Sequence, residues 1–152
     1  MTHDGRHDAL ELETMLLSRY LLPGRRPPKR VRHLERSAYT LLRRLQAEGP
    51  MTIAELSEAL DLDVSTLNRQ TAAMLRCGDL ERVPDPDGGV ARKFRPTPAG
   101  EEHLQHDLGA NVDGLRRVVG DWPEEDLDDL VRLLRRFNGD IERLHGRPWP
   151  RG

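Results

Sequence analysis

His103 and His106 stand three residues apart beside Glu101 and Glu102, a spacing that puts both imidazoles on one helix face, where zinc takes nitrogen ligands. Two histidines without further partners read as a solvated surface, so no metal is assigned. Cys77 follows Arg76, and a neighbouring cation lowers a thiol's pKa, which opens redox sensing. At the end of a helix it reads first as a small packed residue, ahead of the redox reading. As the only cysteine, it excludes an intramolecular disulfide framework and a cysteine-based zinc site. No Ser/His/Asp or Cys/His arrangement is visible, and Gly88-Gly89 is turn chemistry rather than a phosphate-cradling loop. The chain is not expected to be an enzyme or to carry a cofactor.

The densest concentration of hydrogen-bonding groups is Ser65, Thr66, Asn68, Arg69 and Gln70. Arg suits the O6/N7 edge of guanine, and Asn and Gln suit N6/N7 of adenine. A merely solvated helix face favours Glu and Lys, yet residues 64–74 contain neither. The element that carries this set is sharply punctuated. Asp63 can cap a helix from Val64 to Cys77, and Gly78 stands where a helix C′ glycine is expected. Just upstream, Thr52-Ile-Ala-Glu55 is a capping box that opens a short helix, with Ile53, Leu56 and Leu60 inward, which Asp61-Leu-Asp63 breaks. Two short helices, a tight turn and a polar second helix make a helix-turn-helix, and one such helix fills a major groove.

The flanking segments follow the same rules. Asp8-Ala-Leu-Glu11, with Leu12, Leu16 and Tyr20 following, predicts a first helix from about Asp8 to Leu22, and residues 23–28 form a stiff Pro/Gly linker. Leu34, Ala38, Leu41, Leu42 and Leu45 predict a second helix, stopped by Gly49-Pro50. Residues 80–83 and 90–95 read as strands joined across Pro84-Asp-Pro-Asp-Gly-Gly89. Thr97-Pro98 caps a helix carrying Leu104, Leu108, Val112, Leu115 and Val119, which Gly109 and Gly114 weaken. Asp121-Trp-Pro-Glu124 opens the last helix, where Leu127, Leu130, Val131, Leu134, Phe137, Ile141 and Leu144 keep helical spacing. Residues 146–152 are expected to fray.

The 152 residues suit a single domain, and the net charge of −2 taken alone argues against a nucleic-acid partner. The charge is segregated, however. Residues 25–44 hold Arg25, Arg26, Lys29, Arg30, Arg32, Arg36, Arg43 and Arg44 against Glu35 alone, while residues 121–129 hold acids and no base. No apolar run is long enough to span a membrane, and residues 1–15 lack an apolar signal core, so a cytoplasmic location is expected.

The string Gly49-Pro-Met-Thr-Ile-Ala-Glu-Leu-Ser-Glu-Ala-Leu60, then Val64-Ser-Thr-Leu-Asn-Arg69, Pro84-Asp-Pro-Asp-Gly-Gly89, Thr97-Pro-Ala-Gly100 and Trp122-Pro-Glu-Glu-Asp-Leu127 resembles the multiple-antibiotic-resistance regulator (MarR) family. The resemblance runs from about residue 8 to 145. It implies a mainly α chain with a small β-hairpin (α+β), a winged helix-turn-helix flanked by N- and C-terminal dimerisation helices. Residues 1–152 would be one such domain. Its DNA-binding part would cover 31–100, with the recognition helix at about 64–77 and the wing at about 80–95. Residues 8–22 and 97–145 would build the dimer interface. The implied protein is a repressor that binds double-stranded DNA as a homodimer.

The implied DNA contacts are Thr52, Ser65, Thr66, Asn68, Arg69, Gln70, Arg92 and Lys93. The wing departs from the family, which carries an Asp closely followed by an Arg at the tip; those positions here are Gly88 and Gly89–Val90. Arg92 and Lys93 lie further on, and strand alternation can direct only one of them to DNA. Amphipathic terminal helices outside the compact unit either find a second copy, as a C2 dimer provides, or bury against their own chain. The basic linker has two uses, flanking DNA phosphate or a cleft for a small anionic or phenolic effector, for which Tyr20, His33, Arg36 and Tyr39 are candidates. A winged-helix module that binds protein instead of DNA is the alternative function.

Overall fold

The computed structural model describes residues 5–21, 33–145 and 147–151. The linker at 23–28 and the basic residues Arg25, Arg26, Lys29, Arg30 and Arg32 lie outside them. The chain divides into two compact units, Met1–Val31 and Arg32–Gly152.

The described part of the first unit is one helix, α1 (Gly5–Leu21). It begins three residues ahead of the Asp8 cap that the sequence suggests, so Asp8 lies in its first turn, where a carboxylate suits the helix dipole. Its large side chains Leu10, Leu12, Met15, Leu17, Tyr20 and Leu21 are all exposed.

The second unit runs α2 (Arg36–Glu48), α3 (Ile53–Leu60), α4 (Val64–Cys77), β1 (Leu80–Val83), β2 (Lys93–Pro96), α5 (Pro98–Val119) and α6 (Glu124–His145). Each boundary around the helix-turn-helix has a local cause. Thr52 accepts from the Glu55 amide at 3.2 Å and opens α3. Asp61 turns the chain in the left-handed region, φ 51°, and ends it. Asp63 accepts from the Thr66 amide at 3.1 Å and opens α4, and Gly78 closes it at φ 80°. Leu41, Leu42, Leu45, Met51, Leu56, Leu67, Met74, Leu80, Phe94 and Leu104 form one core on which α2 to α5 and the hairpin pack.

The hairpin differs from its sequence expectation. β2 begins at Lys93 rather than Val90, because Val83 pairs with Lys93 and Leu80 with Pro96. Residues 84–92 form the loop, which is longer than the 84–89 connection expected from the sequence. Within it the Gly88 amide bonds the Asp85 carbonyl at 3.0 Å and the Asp87 amide bonds Asp85 Oδ1 at 2.9 Å. The turn is therefore centred on Pro86-Asp87, which suits Pro at its second position, and Gly88 leaves it at φ 83°. On its other edge β2 bonds Met51, with the Phe94 amide donating to the Met51 carbonyl at 2.8 Å. The wing base is thus held from both sides.

Residues 147–151 also differ. They do not fray: Arg44 donates to the Pro148 carbonyl at 3.1 Å, and Arg151 donates to Glu142 at 2.9 Å.

Candidate nucleic-acid interface

Helix α4 is amphipathic, and its inward stripe of Leu67, Thr71 and Met74 fixes which side chains remain outside. Ser65, Asn68 and Arg69 are exposed, and Thr66 is half-buried. Gln70 flanks the inward stripe, and its Oε1 is buried without a hydrogen-bond partner among the described residues. That oxygen is therefore not presented to an outside partner. Contiguity in sequence groups residues 68–70, but at about 100° of rotation per residue Gln70 lies about 200° from Asn68 around the helix.

The first turn of α4 is held by Asp63. Its carboxylate accepts from the Ser65 hydroxyl, from Thr66 Oγ1 at 2.6 Å and from the Thr66 amide. The Ser65 hydrogen bond first, and the two from Thr66 after it, hold the Asp63 carboxyl well below the usual carboxylate range. Both hydroxyl protons are consumed on this cap, so Ser65 and Thr66 meet an outside partner with lone pairs only. Arg69 reaches back to Thr66 Oγ1 at 3.5 Å, and among the described residues its other guanidinium donors meet no acceptor.

Beside this face lies an open hollow of about 470 Å³ lined by Thr52, Ile53, Ala54, Val64, Asn68, Arg82, Ala91, Arg92 and Phe94. Thr52, Asn68 and Arg92, read from the sequence as contacts, meet there. Arg82 joins them and escaped the sequence reading. Its place follows from the register, since it pairs with Phe94 and lays its guanidinium 5.7 Å from that ring. The other wing cation behaves differently. The Lys93 ammonium is 3.5 Å from Glu55 and 3.6 Å from Asp85, with its side chain 13 % exposed, whereas Arg92 is exposed. The structure makes Lys93 a tie between wing and α3 and leaves Arg92 open.

The remaining candidates fall elsewhere. Tyr20 is exposed on α1, in the first unit. Arg36 is exposed at the start of α2 and Tyr39 packs on the core. His33 stacks on His103 with ring centroids 4.8 Å apart and meets His106 edge-on at 4.4 Å. His103 and His106 are more than a solvated surface, since each bonds a buried carboxylate: Asp79 at 2.8 Å and Asp107 at 3.1 Å. Among the described residues no group of three or more His, Cys, Asp or Glu is placed to hold a metal ion. Cys77 is exposed rather than packed. Arg44, part of the basic block, is buried at 1 % exposure and faces no outside partner. Among the described residues no helix is long and apolar enough to cross a membrane.

Comparison with known proteins gives a consistent answer. The MarR family profile matches residues 34–88. The chain is 36% identical over 110 residues to YxaD of Bacillus subtilis (strain 168), described as an uncharacterized HTH-type transcriptional regulator, covering 72% of this chain and 77% of that one. Its fold is similar to a MarR family protein from Bacillus stearothermophilus, with TM-score 0.69 and 23% identity over 92% of this chain and 99% of that one. It is also similar to the PcaV transcriptional regulator from Streptomyces coelicolor, solved in complex with its natural ligand, with TM-score 0.55 and 21% identity over 90% of this chain and 92% of that one.

Proposed function

The chain belongs to the MarR family of transcriptional regulators, and from that premise we propose that it is a homodimeric repressor that reads double-stranded DNA with α4 and the wing. The observation that carries the proposal is the exposed Arg69 and Asn68 face of α4 adjoining Thr52, Arg82 and Arg92 around one open hollow. Donors for base edges come from the helix, and two arginines stand beside it for phosphate. In this reading Ser65 and Thr66 serve as acceptors, while Gln70 and Lys93 support the interface from behind.

The dimer rests on apolar surface. Leu127 (38%), Val131 (42%), Leu134 (37%), Phe137 (39%) and Ile141 (41%) leave one stripe of α6 exposed in the single chain. Leu115 and Val118 on α5 are exposed as well, and α1 in the first unit carries exposed apolar side chains of its own. Burying one large apolar side chain is worth about 1.5–3 kcal/mol, so a second copy that covers these stripes gains substantially. A C2 dimer places two recognition helices about 34 Å apart and selects a pseudo-palindrome. Relief by a small anionic or phenolic effector, with His33, Arg36 and Tyr39 nearby, is part of the proposal, supported by the ligand-bound relative.

Selection of bound sites from a random DNA pool tests the reading. A pseudo-palindromic consensus with half-sites one helical turn apart is expected, with affinity that falls steeply as salt rises. No binding even at low salt would overturn it in favour of a protein-interaction module.

A further inference from the structure

Arg44 presents an unexplained expense: an arginine side chain on α2 that is 1 % exposed. Burying a guanidinium costs several kcal/mol unless its charge is paired and its donors are met, and an apolar side chain of the same volume stabilises a core as well or better. Its partners come from both ends of the unit. Glu48, one turn on along α2, pairs with Arg44 Nε. Pro148 supplies a carbonyl to Nη2 at 3.1 Å, and the Trp149 ring covers the guanidinium with its centroid 5.0 Å away.

The same five-residue tail is fastened at two further points. Arg147 pairs with Glu48 at 2.5 Å. Glu142 on α6 accepts from the Trp149 amide at 3.1 Å and from Arg151 Nη1 at 2.9 Å. These two bonds and the charge of Arg151 hold the Glu142 carboxyl below its ordinary range; the Arg151 hydrogen bond is the main cause. The tail therefore joins the far end of α6 to α2.

Among the described residues α6 has little else to hold it. Between its ends it packs broadly against no other element among the described residues. Its N-terminal end is joined to α5 through Gly120–Pro123. A helix of 22 residues is about 33 Å long, so a tilt of about 10° at that joint moves the other end by about 6 Å. The tail grips α6 where leverage is greatest.

We propose that Arg44 and Trp149 are positioning residues. They lock the α6 arm to the reading body and so set the separation of the two recognition helices in the dimer. This rests on the dimer proposed above. The strap explains why a buried charge is kept where an apolar residue would pack: a guanidinium admits a partner in few orientations, while an apolar contact tolerates sliding.

Cys77 makes the proposal measurable, because it is exposed, is the only cysteine and ends the recognition helix. A nitroxide on Cys77 of the full chain reports the separation of the two α4 helices by electron–electron dipolar spectroscopy. The unaltered chain is expected to give one narrow distance distribution. Trp149→Ala is expected to broaden it about two-fold, as freeing a hinged arm does. Trp149→Phe, which keeps an aromatic face over Arg44, is expected to stay narrow. Should Trp149→Ala fail to fold, Arg151→Ala, which cuts the ties to Glu142 and to the Trp149 carbonyl but leaves the Trp149 ring over Arg44, is expected to broaden the distribution. Distributions as narrow as that of the unaltered chain in whichever folded variant is measured would overturn the strap and leave the dimer standing. No dipolar coupling in the unaltered chain would overturn the dimer and the strap with it.

Discussion

Asp79 and His103 are hydrogen-bonded at 2.8 Å across the joint between the recognition helix and the wing. A carboxylate has no proton to give, so the imidazole donates from Nδ1. Asp79 stands between Gly78, which ends α4, and β1, while His103 lies in the second turn of α5. The contact is one of several that nest this joint on the start of α5. Thr97 donates its amide to the Asp79 carbonyl at 3.0 Å and its hydroxyl to the Gly78 carbonyl at 2.5 Å. The direction in which α4 leaves the body is therefore set by α5.

Gly100 is where that nesting is tightest. A Cβ there would stand 2.1 Å from the Asp79 carbonyl oxygen, which is backbone and cannot turn aside. Gly100→Ala is expected to destabilise the fold by about 1–3 kcal/mol, the range for forced overpacking, read as a lower urea midpoint with an unchanged slope. An unchanged midpoint would mean that α5 can retreat from the joint.

Asp107 gives a pH dependence. Burial alone would raise its carboxyl, but bonds from the His33 amide, the His106 ring and the Leu34 amide outweigh it and hold the pKa below the ordinary 3.8. A carboxyl lowered on folding contributes stability that is fully present above its unfolded value and is lost as the pH falls through its folded value. The Tm advantage of the unaltered chain over Asp107→Asn is expected to shrink as the pH falls below about 4. An advantage that persists undiminished at pH 2 would refute the assignment.

Arg69→Ala and Arg92→Ala should fail differently on a selected DNA site. Arg69 on the open α4 face is expected to lose about 1–3 kcal/mol of binding and to relax the preference at one base pair. Arg92, as a phosphate contact, is expected to weaken all sequences alike and to reduce the slope of log affinity against log salt by about one. Gel-shift titrations at several salt concentrations separate the two.

Phe137→Glu sets a charge in the middle of the α6 stripe. One large side chain is worth about 1.5–3 kcal/mol when buried, so the dimer Kd is expected to rise at least about tenfold. Sedimentation velocity across a dilution series reads the change, and an unshifted equilibrium would remove α6 from the interface.

The parts of this protein legible in the sequence are those held by neighbours three or four residues apart. Thr52, Asp63 and Thr97 each cap the amide three residues on, and Gly78 ends its helix alone, so both ends of α4 could be read directly. Contacts across long loops could not. The start of β2 depends on the turn that Asp85 makes and on the bridge to Met51. Arg82 reaches the interface only because the register sets it opposite Phe94. Gln70 and Lys93 have the right chemistry for DNA, and packing buried the side-chain oxygen of one and paired the other with acids. The histidines found Asp79 and Asp107, and Arg44 found Trp149, 105 positions away in the chain. Caps and helix periods are properties of a few consecutive φ and ψ angles, which residue types bias one by one. Which side chains meet across the fold depends on the summed path of the chain, and there only the packed tertiary structure decides.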